Sequence, residues 1–546
     1  MKTPTRRIEI YDTSLRDGTQ GWGISISASD KLLIARRLDE LGVDYIEGGY
    51  PLSNPKDAAF FREAVRTRFR HARLAAFGMT RRRGTRPHKD QGLRVLLAAR
   101  TPVVTIVGKS WDLHVREVLR VTESENIAMI SDSVRHCAAA GREVIYDAEH
   151  FFDGYAARPD YALATILAAQ DAGASCICLC DTNGGSLPER IAEVVEAVRP
   201  HISVRLGIHT HNDGGLAVAN TLAAVRAGAV HVQGTINGIG ERCGNVDLTS
   251  VIANLALKYG MRVLRDGGLE RLTETSRYVY EIMNLVPVDN QPFVGSAAFA
   301  HKGGMHVHAV SRLARSYEHV PPAAVGNTRR ILISELSGAS GVAAKIGEKL
   351  GVEDPVLQRR LLHRLKQLEN EGYVYESAEA SFELLCRREL GLHRKFWELH
   401  HWRSVILKMA EEHEPDTEVI LKLKVNGTVE HQVSGGHGPV DAMARALIKA
   451  LRPHYPAVEQ VRLIDYKVRV TNPRAATAAK VRVNIEFLDE STHEVYATVG
   501  VSENILEASW EALIDGIEYK LLSDEDRAAR RARGKPRRRR SGSGRP

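Results

Sequence analysis

Short β-branched runs alternate with amphipathic stretches over roughly the first 260 residues of the chain. The runs Ile8–Asp12, Tyr45–Gly49, Leu74–Phe77, Val103–Val107, Glu143–Ala148, Ser175–Cys180, Val204–His209 and Ala229–Gly234 predict strands. Helical spacing follows them, as in Ser29–Leu41, Lys56–Phe69, Val115–Ala140, Pro188–Arg199 and Gly215–Ala227. Successive strand–helix units in one stretch predict an α/β fold, a (β/α)8 TIM barrel, over 1–271. A doubly wound sheet is the alternative, because spacing does not show closure. Residues 272–416 read as helical linker subdomains, with Ala378–Glu414 helical and charge-rich. Residues 417–522 read as a separate α+β domain. There, strands Glu418–Val425 and Val429–Val433 precede a helix at Pro439–Leu451. Strands Val461–Val470, Ala479–Phe487 and Tyr496–Val501 precede a second at Ile505–Leu522, which suggests a pseudo-repeat.

Composition changes this picture little. With 546 residues, 43% apolar and 26% charged, the chain is globular in type and long enough for at least two cores. No apolar run is long enough to span a bilayer, and no signal-peptide core follows Met1, so a cytoplasmic protein without a membrane partner is expected. The net charge of +8 suggests a nucleic-acid partner until its source is found. Ten Lys or Arg and no acid lie between Arg527 and Pro546, so the rest of the chain is slightly acidic. Residues 523–546 read as a basic disordered tail, and nucleic acid is not an expected partner. Six cysteines are too few for a disulfide scaffold. Cys176, Cys178 and Cys180 share one strand face and read as small core residues, not a zinc spacing.

Polar chemistry clusters where a barrel would put it, after the strands: TSLRDGTQ, EH, DTNGG, HTHND and INGIGERCGN. In HTHND, His209 and His211 are two apart at a strand end and would turn their imidazoles to one side. An isolated pair of this kind is more often a capping feature than a metal site. In a closed barrel the first and last strands adjoin, which adds Asp17 and Asn245 as oxygen donors. Two nitrogens and two oxygens suit a divalent cation such as Mn, Mg, Zn or Co, with positions open to substrate.

These motifs resemble the hydroxymethylglutaryl-CoA lyase-like barrel superfamily. It includes the isopropylmalate, homocitrate and citramalate synthases and the carboxyltransferase part of pyruvate carboxylase. The resemblance is closer to the citramalate synthase branch and covers about residues 5 to 522. It is carried by IEIYDTSLRDGTQGWGISIS, YIEGGYPLSNPKD, VIYDAEHFFDGY, LCDTNGGSLP, GIHTHNDGGLAVAN, NGIGERCGN, AFAHKGGMHVHAV and TVGVSENILEASWEALIDGIEYKLL. It implies an acyltransferase that condenses pyruvate with acetyl-CoA and water, in isoleucine biosynthesis. A synthase using a larger 2-keto acid, making 2-isopropylmalate or homocitrate, stays open, since a methylene or two in a pocket discriminates only modestly. A carbon–carbon lyase is disfavoured because the resembling lyases lack the C-terminal domain.

The resemblance also implies roles. Asp17, His209, His211 and Asn245 match metal ligands, and Arg16 matches a residue that steadies charge on the reacting oxygens. Glu149 matches an acid near the keto acid, Thr182 the hydroxyl that binds its carboxylate, and His301 a proton-transfer residue. Arg16 stays protonated and is no base, which leaves His301 as the candidate, with Glu149 orienting it. Glu241 and Arg242 are expected to brace the Asn245 loop, and Cys243 to be a packed thiol. Residues 417–522 match a dimeric regulatory domain, implying a homodimer with isoleucine as effector.

Overall fold

The computed structural model describes residues 6–265, 267–302, 304–331, 354–409, 414–471 and 479–533. The chain forms two compact units, 1–300 with 318–330, and 301–317 with 331–546.

In the first unit eight parallel strands close into a barrel: β1 (Glu9–Asp12), β2 (Tyr45–Glu47), β3 (Arg73–Met79), β4 (Val103–Lys109), β5 (Glu143–Glu149), β6 (Cys176–Asp181), β7 (Arg205–Thr210) and β8 (His231–Gly234). Closure is direct: β1 pairs with β8 from Glu9↔His231 to Asp12↔Gly234. The doubly wound alternative is thereby excluded. Side chains alternate between two cores, as the period-two geometry of a strand demands. Tyr11, Tyr45, Ala75, Val103, Ile145 and Cys176 form a layer inside the barrel. Ile10, Ile46, Val104, Val144 and Ile177 belong to the core shared with the helices. At the lower end Arg205 bonds Glu9, the Tyr45 hydroxyl and Glu143, which closes the barrel floor with satisfied polar groups.

Local signals explain the helix boundaries. Ser27 and Asp30 form a reciprocal capping box that starts Ala28–Leu41, and Gly42, at φ 91°, ends it. The continuous helix expected over Val115–Ala140 is broken. A π turn at Val115–Leu119 ends on Arg120 in left-handed backbone (φ 54°), and Thr122 caps a new helix, Glu123–Ala139. A capping threonine wins over the apolar periodicity that runs through it. The cysteines of β6 are buried, but Cys243 is exposed, which corrects the packed-thiol expectation.

The second unit contains helices Pro355–Glu371 and Glu379–Glu389, then two antiparallel sheets, each followed by a helix. The first sheet is β9 (Trp397–Leu407), β10 (Asp416–Val425) and β11 (Thr428–Gly436), followed by Pro439–Leu451. The second is β12 (Val461–Val470), β13 (Val481–Asp489) and β14 (Glu494–Ser502), followed by Ile505–Arg533. Val419, Leu421, Leu423 and Val425 alternate inward from β10, and Val483, Ile485 and Phe487 from β13, onto Met443, Leu447, Trp510 and Leu513. Two expectations are corrected. Ala378–Glu414 is not all helix, since β9 runs through it. The paired His400–His401 and a bulge between Leu399 and His401 interrupt the alternation that would have marked a strand. The expected tail from 523 begins as helix instead. Lys520 and Arg527 both pair with Asp489, and Arg527 with Asp524, which carries the helix on to Arg533. Residues 534–546 lie outside the described residues. Among the described residues no helix is long and apolar enough to cross a membrane.

Candidate active site

The turn after β1 presents Asp17. Its geometry is fixed by Ser14, whose backbone N–H and hydroxyl donate to Asp12, and by Gly18 N–H, which donates to the Thr13 carbonyl. β7 ends in His209 and Thr210, and His211 follows, bridged through its backbone to Asn245 in the loop after β8. One ligand atom from each of Asp17, His209 and His211 lies within 4.8 Å of the other two. His209 Nε2 is 3.4 Å from Asp17 Oδ2 and 3.3 Å from His211 Nε2. All three residues are buried.

Whether this cluster fits a cation can be tested on its protons and lone pairs. Gln233 of β8 donates its amide N–H to Asp147 Oδ1 at 2.8 Å, which fixes the amide and turns its oxygen to His209 Nδ1 at 3.0 Å. Nδ1 therefore carries a proton, and in the neutral ring the Nε2 lone pair faces Asp17 and His211. Asn245 Nδ2 donates to the Ile239 carbonyl at 3.2 Å, while its Oδ1 is buried with no partner. Gly240 (φ 149°) has no room for a Cβ, which would stand 2.2 Å from Asn245 Nδ2. Burial alone would raise the Asp17 carboxyl, but Arg16, His209 and His211 outweigh it and hold it well below the usual carboxylate range. Burial, then His209, pushes His211 down to about 4, so it is neutral at neutral pH. Burial lowers His209, but Asp17 outweighs it and raises the imidazole above its ordinary value, so a cation there would take the place of its second proton; with it, the charged carboxylate, the neutral His211 and the unpartnered amide oxygen make the donor set of a divalent cation.

A second candidate cluster, Asp147 with Cys178 and Cys180, lies in the barrel interior. Burial holds the Cys178 thiol well above its ordinary value, so it keeps its proton and is the poorer ligand.

The cluster opens into a cavity of about 310 Å3 lined by Arg16, Asp17, Glu149, Thr182, His209 and His211, with Phe77, Met79 and Val107 as apolar walls. Arg16 is clamped. Its Nε donates to Glu47 at 2.6 Å, Nη1 is 3.2 Å from Asp17, and its guanidinium stacks 4.0 Å from the Phe77 ring centre. Thr182 Oγ1 accepts the His150 backbone N–H at 2.9 Å, leaving its own proton to donate. Glu149 ends β5 in an ion pair with Lys109. Arg242 ties the loops together: it grips Asp213 at 2.8 and 2.9 Å and donates to the Thr182 carbonyl at 2.7 Å. Glu241 lies only near Arg242, at 3.8 Å.

Seven of the eight residues singled out in the sequence are thus gathered in the first unit. The eighth, His301, is a buried residue of the second unit, ending the short strand Ala300–His301. Sequence reasoning missed Glu47, Lys109, Asp147 and Gln233. Glu47 and Lys109 are each the one charged residue of their strand, a signal that would have found both, whereas Asp147 and Gln233 share their strands with other polar or charged residues and stand out by no such signal.

Comparison with known proteins fits this geometry. The family described as HMGL-like matches residues 7–279, homocitrate synthase post-HMGL domain-like 293–372, and LeuA allosteric (dimerisation) domain 376–521. The chain is 50% identical over 522 residues to the (R)-citramalate synthase of Geobacter sulfurreducens, covering 95% of this chain and 98% of that one. It is 49% identical over 524 residues to that of Aquifex aeolicus, covering 95% and 99%. The 2-isopropylmalate synthase of Methanocaldococcus jannaschii is 30% identical over 524 residues, covering 95% and 96%.

Proposed function

Since the chain belongs to the citramalate, isopropylmalate and homocitrate synthase family of HMGL-like barrels, we propose that it is a citramalate synthase. It joins the methyl carbon of acetyl-CoA to the keto carbon of pyruvate, and water then cleaves the thioester to give citramalate and CoA. The observation that carries this reading is the grouping of Asp17, His209, His211, Arg16 and Thr182 around one small cavity. The identity of about half along nearly the whole chain to citramalate synthases, against 30% to an isopropylmalate synthase, favours pyruvate as the keto acid.

A divalent cation held by Asp17, His209, His211 and Asn245 would draw electrons from the keto group and make its carbon electrophilic. The protein's own groups do the rest. Thr182 donates its hydroxyl proton to the keto acid's carboxylate. Arg16, held rigid by Glu47 and Phe77, keeps a fixed positive charge beside the oxygen that gains negative charge as the new bond forms. Glu149 contributes an acidic side chain at the end of β5, positioned by Lys109. We assign the methyl proton to His301 on the family resemblance. The catalytic barrel is assigned to 1–271 and regulation to 417–522, with 272–416 linking them and supplying His301.

A keto-acid panel with acetyl-CoA, followed by free CoA release, tests the reading. Pyruvate is expected to be the best substrate, and a strong preference for 2-ketoisovalerate would overturn it. The match to the LeuA allosteric (dimerisation) domain supports a homodimer regulated through that domain. Isoleucine is the proposed effector, and calorimetry showing no binding at millimolar concentration would remove it.

A further inference from the structure

The loop between β8 and the helix Leu248–Leu257 carries Asn245, and its two ends are stapled together. Thr235 and Asp247 form a backbone bridge, with the Thr235 N–H donating to the Val246 carbonyl at 3.1 Å and the Leu248 N–H to the Thr235 carbonyl at 2.9 Å. Between those ends Asn237 and Arg242 are held in left-handed backbone, with φ 66° and 55°. Such a conformation persists in non-glycine residues only where the surroundings over-determine it. Gln291 supplies that restraint. It is a buried residue of the segment after the helix Leu272–Ile282, and it is not among the residues that line the catalytic cavity. Its Nε2 donates to Asp247 Oδ2 at 3.1 Å and to Asn237 Oδ1 at 3.2 Å, one bond to each limb of the loop. The carboxylate only accepts, so the amide nitrogen must face it. Tyr280 holds the amide in that sense, its hydroxyl donating to Gln291 Oε1 at 3.0 Å. Asn237 is fixed from the same helix: its Nδ2 donates to the Ser276 carbonyl at 2.9 Å, and its Oδ1 accepts the Ser276 hydroxyl at 2.5 Å. Gln291 itself is anchored in a turn. The Gly295 N–H donates to its carbonyl at 3.0 Å, and Asn327 Nδ2 donates to the Phe293 and Gly295 carbonyls at 2.9 Å.

We propose that Gln291 is a positioning residue that sets the cation affinity of the site. By tying Asn237 to Asp247 it holds the loop in the shape that presents Asn245 Oδ1 to the cation. The proposal rests on the cation reading of the site given above. Asn245 commits its Nδ2 to the Ile239 carbonyl of the same loop, so the direction of its unpartnered oxygen follows the shape of that loop. An untied loop would still carry the ligand but present it in many directions, and cation binding would then have to fix it.

Two variants of the full-length protein test this. Gln291→Glu is isosteric and keeps the acceptor for Tyr280, but it loses both donors. Gln291→Met keeps the length and adds no charge. Cys243 is the exposed cysteine among the six and lies in the same loop, so it takes a nitroxide label. In chelator-stripped protein the label is expected to be more mobile in both variants than in the parent. On unlabelled protein, calorimetry should show the Kd for Mn2+ raised about tenfold. In an Asn245→Ala background the same substitutions should leave Mn2+ affinity unchanged, because the ligand they misplace is already absent. Equal label mobility in all three proteins would overturn the proposal. So would an equal loss of affinity with and without Asn245, which would make Gln291 a structural residue only. Failure of the parent to take up Mn2+ would overturn the cation reading instead, and the label mobility would still decide whether Gln291 holds the loop.

Discussion

Replacing Gln233 by Leu removes the link between Asp147 and His209 while keeping a side chain of similar size. In the parent, Gln233 accepts from His209 Nδ1 at 3.0 Å and donates to Asp147 at 2.8 Å, and all three residues are buried. The leucine leaves a buried N–H without an acceptor, which costs ~1–3 kcal/mol. The imidazole can escape that cost by moving its proton to Nε2, the atom that faces Asp17 and His211, and then it no longer offers a lone pair there. Loss of such support lowers metal affinity ~10–100-fold, equivalent to ~1.4–2.7 kcal/mol. The two figures agree because they describe one event. The assay is calorimetric titration of chelator-stripped protein with Mn2+, with melting curves taken before and after. Gln233→Glu, which retains an acceptor for Nδ1, should keep most of the affinity. Parent-like Mn2+ binding in the leucine variant would refute the tautomer argument, because no other described group holds His209 Nδ1.

Glu47→Gln removes the charge that clamps Arg16 and should lower kcat by ~10–100-fold with the keto-acid KM less affected; a change under threefold would show that Arg16 needs no clamp. Thr182→Val keeps the shape but loses the donor, and a rise of ~tenfold in KM for pyruvate is expected from CoA-release kinetics; an unaltered KM would remove Thr182 from the binding site. In the second unit, burial would raise Asp489, but the buried Lys520 and the Ser491 bonds outweigh it and hold the carboxyl well below its usual range. A depressed carboxyl stabilises the fold fully above the ordinary carboxylate pKa of ~3.9 and loses that contribution as pH falls through the folded value. Lys520→Met should therefore be destabilised by ~3–5 kcal/mol near neutral pH and lose less further stability on acidification than the parent; parallel melting curves from pH 6 to pH 3, read with the pH as the only variable, would contradict this.

Much of this fold was legible because it follows from local rules. Eight β-branched runs spaced by helical patterns leave few arrangements, and polar motifs follow five of the runs at the same end. β9 was not legible, because adjacent histidines and a bulge hide its alternation. The break before Thr122 was not legible either, since apolar spacing continues through Arg120 while the backbone turns. The helix beyond Leu522 depends on Asp489 and Glu494, which are distant in the chain, so no local window predicts it.

The sequence by itself determined the chemistry of the site: which residues can donate lone pairs, which stays charged, and which strand ends they follow. Side-chain type and strand period are local properties, and a chain carries them wherever it folds. The tertiary structure decided the rest. Closure of β1 on β8 brought Asp17 within 3.4 Å of His209, two residues nearly two hundred positions apart. Packing then chose the tautomer of His209 through Gln233, clamped Arg16 between Glu47 and Phe77, and left Asn245 Oδ1 without a partner. Those outcomes depend on distances across the barrel, and distance is what a linear pattern does not contain.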